Sequence, residues 1–207
     1  YTISHDKIRD VVYTEAGDAR RRIYHQRAFA ALASAPPAER AHHALAGGLT
    51  SEACTCSILA GDEALRLFAI DDALAAYQQA RALLDTLSSD HGTAAEQVPH
   101  LFLQLGRAYE LLSALDQAAA MYEELRMLAR ESNWPAAEGA ALNRLATLKA
   151  QRALDMAAAI DLLHQAQALA EHNGIAADLA ETEWNLAQLH FYNSQPALTL
   201  QHGQRLG

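Results

Sequence analysis

The chain has 207 residues, 51% hydrophobic and 20% charged, with a formal net charge of −9 at pH 7, and this much apolar material can form a sizeable core. Beyond residue 27, 10 Lys/Arg residues stand against 21 Asp/Glu residues, and an acidic surface argues against direct nucleic-acid binding because it repels phosphate. With no secretory signal pattern and no stretch near the roughly 18 apolar residues of a membrane span, we expect a segment of a longer cytoplasmic protein.

The first element is a short polar stretch, ISHDKIRD at residues 3–10, followed by a helical pattern. Ser4 or Asp6 can cap a helix start, where an acidic side chain also suits the positive end of the helix dipole. On residue chemistry alone, His5 is then a surface or capping residue. A second helix carries ARRRIYHQRAFAAL at residues 19–32, whose arginines either lie in solvent and pack on a neighbouring helix or face another domain.

Helical periodicity continues almost to the end, and no segment alternates with period two over the length of a strand. Breaks containing Gly, Asn, Ser or Pro interrupt it. They fall at 17–18, 34–37, 47–51, 88–92, 133–135, 173–174 and 193–196. The sequence therefore predicts an all-α fold in which helices of about a dozen residues pack as antiparallel neighbours.

Two internal alignments indicate a repeating unit. Residues 128–146 align with 169–187 at an offset of 40, which places Asn133 on Asn173, although the offset becomes 41 at the end. Residues 71–84 align with 116–129 at an offset of 45. Stacked helix pairs need small residues where backbones approach and large residues in the grooves, so such a pattern recurs once per pair.

Residues 99–132 hold this small and large pattern at Phe102, Leu105, Gly106, Tyr109, Ala118 and Tyr122. The spacing resembles the tetratricopeptide repeat. The resemblance implies an α-solenoid of antiparallel helix pairs in a right-handed superhelix over residues 36–207. Its units would be 54–87, 99–132, 139–173 and a truncated one at 180–207, which begins at Trp184, Leu186 and Ala187.

In that family, partners bind on the inner face of the first helix of each pair. The resemblance places groove positions at His100, Leu103, Arg107 and Glu110 in one unit and at Ala140, Asn143, Thr147 and Ala150 in the next. The partner would be a protein, a peptide or a small inducer. The carboxylate clamp of chaperone-binding repeats is missing, and each of these residues could instead belong to the scaffold.

The first 35 residues carry a second resemblance. ISHDKIRDVVY followed by ARRRIYHQRA is similar to the junction between a winged-helix subdomain and a repeat array in STAND-type NTPases, including bacterial SARP and LuxR/MalT-like transcriptional regulators. Within it, His5 and Asp6 match the nucleotide-switch motif whose His contacts the β-phosphate of ADP. ATP or ADP would bind the parent chain, but no cofactor is expected for this segment, which has no glycine-rich phosphate loop.

Residue patterns for catalysis or metal binding are missing. Adjacent His42 and His43 point about 100° apart on a helix, so no metal site is predicted. Cys54 and Cys56 are expected to be reduced and partly buried. Paired carboxylates are expected on hydrated helix faces, and they are Asp71 with Asp72, Glu123 with Glu124, and Glu181 with Glu183.

These observations predict a non-catalytic sensor or protein-interaction region of a STAND-type regulator. It would couple binding of a partner or inducer to a nucleotide switch upstream, and DNA would be bound by a different domain. Two alternatives stay open. The same arm could belong to a nucleotide cyclase or kinase, in which case an enzymatic domain would precede it, or the chain could be a stand-alone peptide-binding adaptor.

Overall fold

The fold is all-α over residues 13–87, 93–153 and 155–205, which are the residues that the computed structural model describes. Residues 1–12, with His5 and Asp6, lie outside this part. The helices are α1 (Asp18–Ala31), α2 (Pro37–Ala46), α3 (Thr50–Arg66), α4 (Ile70–Leu84), α5 (Thr93–Leu111), α6 (Leu115–Glu131), α7 (Pro135–Ala153), α8 (Met156–Asn173), α9 (Ala176–Tyr192) and α10 (Pro196–Gln204). Among these residues no helix combines the length and apolar character that crossing a bilayer requires.

Helix starts follow the sequence signals closely. Pro37, Pro135 and Pro196 each open a helix, where the missing amide hydrogen costs nothing and the fixed φ suits the first turn. Asp155 caps α8 by accepting a hydrogen bond from the Ala158 amide at 3.1 Å. The predicted breaks at 34–37, 133–135 and 193–196 are therefore confirmed, whereas the helix starts at Ile70, Leu115 and Met156 fall where no break was predicted.

Six helix ends share one turn geometry in the described residues. Each has a residue with φ between 56° and 68°, and these are Gly48, Phe68, Ser113, Asn133, Gly174 and Ser194. The amide of the residue that follows donates to the carbonyl five positions earlier at 2.8–2.9 Å. This is the Schellman motif, which closes the exposed carbonyls of a helix end. Three pairs of these turns are separated by 20 residues, and the helices between them, α3, α6 and α9, each have 17 residues.

The chain divides into two compact units, Tyr1–Leu101 and Phe102–Gly207, with the division inside α5. In the first unit α1 packs on α2, α2 on α3, and α3 on α4. In the second, successive helices from α6 to α10 pack on one another, and α7 also touches α9. This packing of consecutive helices confirms an all-α, solenoid-like fold, while the hand of the superhelix stays a prediction.

The turns correct one sequence alignment and confirm the other. Asn133 and Gly174 occupy the equivalent left-handed position, so these units are related by 41 residues and the pairing of Asn133 with Asn173 was wrong by one. Glycine and asparagine both tolerate this conformation, which made the two registers hard to separate. Phe68 and Ser113 are equivalent at the predicted offset of 45.

Inside the helix pairs, a glycine lies directly against a tyrosine ring. A Cβ on Gly61 would overlap Tyr77, and one on Gly106 would overlap Tyr122. Both tyrosines are fully buried. Tyr77 donates its hydroxyl hydrogen to Asp62 at 2.7 Å, so the ring is anchored at its polar end as well. The expected alternation of small and large residues is confirmed at these equivalent positions.

We predict that Gly106→Ala destabilises the protein by about 1–3 kcal/mol, because the Tyr122 ring has no free space to move into. The matched control is Gly203→Ala in α10, where an added Cβ meets nothing within 4 Å. That change should stabilise by up to about 1 kcal/mol through helix propensity. Urea unfolding followed by circular dichroism measures both, and equal stability of the two variants would contradict the close packing.

Candidate functional site

A hollow in the second unit lies among α7, α8 and α9. Its volume is about 470 Å³. Met156, Leu163 and Leu189 supply apolar lining, while Thr147, Gln151, Asn185 and Gln188 supply polar groups. A concave site with an apolar surface and a few polar groups is the usual form of a small-molecule or peptide site. We refer to it as the α7–α9 cavity.

One wall of this cavity is fixed by a polar bridge between α7 and α9. The Asn143 side-chain amide donates to the Thr182 hydroxyl at 3.0 Å. Its side-chain oxygen accepts a hydrogen bond from the Asn185 side chain, also at 3.0 Å. Asn143 is 1% exposed and Thr182 fully buried. Buried polar groups with satisfied partners specify one geometry, since any slip leaves them unpaired. The bridge therefore holds Asn185 in place at the cavity edge.

The predicted groove residues lie in different environments. Asn143 is buried in the polar bridge and has no surface to offer a partner, whereas Thr147 lines the α7–α9 cavity. Leu103 packs half-buried against the core around Tyr122.

The charged groove positions are also unlike one another. His100, in the first unit, is hydrogen-bonded to Asp62 at 2.9 Å. Glu110 accepts the Tyr122 hydroxyl hydrogen at 2.5 Å, and Arg107 is exposed. Of the positions named from the family pattern, Thr147 and Ala150 line the cavity.

An exposed aromatic surface on α9 adjoins the cavity. Trp184, Phe191 and Tyr192 are 61%, 68% and 64% exposed. Together with Gln188 they line a second hollow of about 290 Å³, and Gln188 and Tyr192 also line the α7–α9 cavity. The sequence analysis treated Trp184 as a pattern residue of the last repeat, but the structure leaves it on the surface.

Glu183, expected on a hydrated face, is 1% exposed. That expectation was wrong because the repeat register places this carboxylate at the buried position that Phe102 and Leu142 occupy in earlier pairs. The sequence spacing from Leu145 to Leu186, which are equivalent, shows the same register. A buried carboxylate at an apolar position requires partners, since an unpaired charge there is very costly.

The partners of Glu183 come from α8 and from the α10 region. His202 contacts one carboxylate oxygen at 2.5 Å. Arg205 donates to the other oxygen at 2.9 Å, as does Gln167 at 2.8 Å. Burial would raise the pKa of Glu183, but the hydrogen bonds from Arg205 and His202 outweigh it and the pKa is lowered. The carboxylate therefore stays ionised and ties the last helix pair together.

This cluster borders a shallow hollow of about 370 Å³. His190 stacks on His202 with ring centroids 5.3 Å apart, and its Nδ1 lies 2.7 Å from the Gln195 side-chain oxygen. The ionisable groups are thus engaged with one another, which is the arrangement of a structural ion-pair network.

No family model matches the chain, and no curated protein matches it significantly. The resemblances drawn from residues 1–35 and from the repeat pattern therefore stay predictions about family and function.

We predict that Glu183→Gln lowers the free energy of unfolding by about 2 kcal/mol near pH 7, because Arg205 and His202 lose their hydrogen bonds to a buried carboxylate. A lowered pKa means that the wild-type contribution is present above the ordinary value of about 4.3 and is lost as pH falls through the folded-state value. The difference between wild type and variant should therefore shrink below pH 4. Chemical denaturation across pH 3–7 measures it.

The matched control is Glu181→Gln, two residues away on the exposed side of α9. Its effect should stay within about 0.5 kcal/mol at each pH. A constant difference between wild type and Glu183→Gln over the whole range would show that the charge of Glu183 has no part in stability.

Proposed function

We propose that the chain is a non-catalytic, helical-repeat sensor or protein-interaction region of a larger STAND-type NTPase transcriptional regulator. A partner or inducer bound to the repeats would bias a nucleotide switch elsewhere in that cytoplasmic protein. ATP or ADP would bind the parent chain, and a separate domain would contact DNA. The segment itself would present binding surfaces and perform no chemistry.

The observation that carries the binding role is the α7–α9 cavity. Two of its three walls come from α7 and α9, the first helices of successive pairs, and α8 supplies the third; solenoids of stacked repeats bind partners on such concave surfaces. The Asn143–Thr182 bridge fixes the spacing of these helices, so the cavity is preformed and a ligand need not order it.

The lining indicates the chemistry of the ligand. Asn185, Gln188 and Thr147 carry uncharged polar groups, and the aromatic rings of α9 lie at the rim. Amide side chains bind peptide groups, and exposed aromatic rings give contact area at low entropic cost. A peptide segment with one or two apolar side chains, or a neutral amphipathic inducer, fits this surface better than a charged ligand does.

A displayed peptide library selected on the wild-type chain tests the peptide-binding role. Thr147→Trp places an indole in the cavity and should weaken the selected peptides at least about tenfold, since a loss of only about 1.4 kcal/mol suffices for that. Lys149→Trp, on the exposed side of the same helix, is the control and should bind as wild type does. Equal binding by both variants would place the peptide elsewhere, and a library that yields no binder would contradict a peptide partner.

The nucleotide switch is tested separately in the parent chain. If His5 contacts the β-phosphate of ADP, His5→Ala should weaken ADP binding by about tenfold, the loss of one charge-assisted or neutral hydrogen bond. Titration calorimetry with ADP measures this, with His172→Ala in α8 as the control. Equal affinity in wild type and His5→Ala would remove the sensor role from His5 and leave the peptide-binding role untouched.

A further inference from the structure

Three histidines converge in the first unit, at the contact between α1 and α2. His25 comes from α1, while His42 and His43 are adjacent on α2. Their ring nitrogens offer a set of donor atoms that all lie within 4.8 Å of one another. The ring centroids are 5.1, 5.3 and 5.6 Å apart. The three imidazoles therefore form a nearly equilateral triangle around one point.

The hydrogen bonds of His25 define which nitrogen faces that point. Its Nδ1 lies 2.9 Å from His43 Nδ1, and its Nε2 lies 2.9 Å from the Tyr13 hydroxyl. When Tyr13 accepts the Nε2 hydrogen, His25 keeps a free lone pair on Nδ1, which accepts from His43. A ligating histidine commonly donates its second ring hydrogen to such an outer partner, which fixes the tautomer.

The exposure of the three histidines also suits a ligand. His25 is 8% exposed, whereas His42 is exposed, so the triangle has a closed side in the protein and an open side toward solvent.

We propose that His25, His42 and His43 form a binding site for a divalent transition-metal ion, with Zn²⁺ as the reference ligand. Tetrahedral coordination at about 2.0–2.1 Å from each nitrogen needs donor atoms roughly 3.3 Å apart. The donor atoms now lie within 4.8 Å of one another, so binding requires the two α2 histidine side chains to rotate toward His25. His43 can bind through Nδ1 if its ring hydrogen moves to Nε2, or through Nε2 if the hydrogen stays on Nδ1. In either case no proton is released. A water molecule would complete the fourth position.

The donor set selects the class of metal. Imidazole nitrogen suits Zn²⁺, Cu²⁺, Ni²⁺ and Co²⁺, whereas Mg²⁺ and Ca²⁺ prefer oxygen ligands, which this triangle lacks. The sequence analysis predicted no metal site because it considered the adjacent His42 and His43 as a pair pointing apart. The structure adds His25 from the neighbouring helix, and this third ligand fills the gap between them.

Metal binding would strengthen the attachment of α1 to α2. Besides the His25–His43 contact, α1 is already held by hydrogen bonds to the carbonyl of Gly47 at the end of α2, from Arg22 at 3.1 Å and from Gln26 at 2.8 Å. A metal bound by both helices adds a link at the other side of His25. The site stands on its own geometry and does not depend on the proposed function.

Calorimetric titration of the untagged chain with ZnCl₂ at pH 7.5 tests the site. The wild type should bind one equivalent and gain thermal stability with Zn²⁺. His42→Gln, at an exposed position that leaves the core intact, should weaken binding at least about 100-fold, the upper end of what losing even an outer-shell partner costs. His172→Gln, at an exposed position in α8, is the matched control and should bind as wild type does.

CoCl₂ in place of zinc identifies the ligands. Nitrogen coordination gives visible bands without thiolate charge-transfer absorption. Cys54 and Cys56 are the competing thiols, but both are buried, and burial raises the pKa of Cys54 to about 11. Three results would each overturn the proposal: thiolate bands, undiminished binding by His42→Gln, or no saturable binding by the wild type. The three histidines would then form a hydrogen-bonded cluster without a metal. His25→Ala provides a second variant from α1.

Discussion

The left-handed residue at the helix ends is the constraint on which the rest of the structure depends. It reverses the chain in a fixed geometry, and the 20-residue spacing of three turn pairs gives α3, α6 and α9 the same length of 17 residues. A helix of fixed length between two such turns brings equivalent sequence positions together in successive units. Gly61 can then receive Tyr77, and Gly106 can receive Tyr122, because the register is already set when the side chains meet.

Sequence patterns predicted the helices well and the turns unevenly. Breaks marked by Pro37, Pro135 or Gly174 were found because these residues either cannot continue a helix or favour the left-handed conformation. The turns at Phe68 and Ser113 carry no such residue, and Phe68 is 82% exposed, so neither local propensity nor burial pattern marks them. These two turns can be located only from their spacing to the neighbouring turns, and that requires knowledge of the repeat register.

The candidate sites were less predictable, because each depends on residues from separate helices. Thr147 was found through the family pattern, and it does line the cavity. Asn143 was placed beside it but is buried, since its amide is needed between α7 and α9. Glu183 and His25 were missed for one reason: their partners, Arg205 and His43, are 22 and 18 residues away. Alignment of Glu183 with Phe102 and Leu142 would have revealed a charged residue at a position that is apolar in the earlier repeats.

Helix α9 joins the features that matter for a binding role. Thr182 is bonded to α7, the next residue Glu183 is bonded to Arg205, and Trp184 after it faces solvent. Because both anchors are buried polar contacts, α9 has few geometries that keep them satisfied. A ligand that contacts Asn185 and Gln188 would therefore act on an element coupled to the preceding pair through α7 and to its own partner helix α10. A displacement of α9 would weaken the hydrogen bonds to α7 and the ion pair with the α10 region together. Ligand binding in one repeat could therefore change the position of the neighbouring helices.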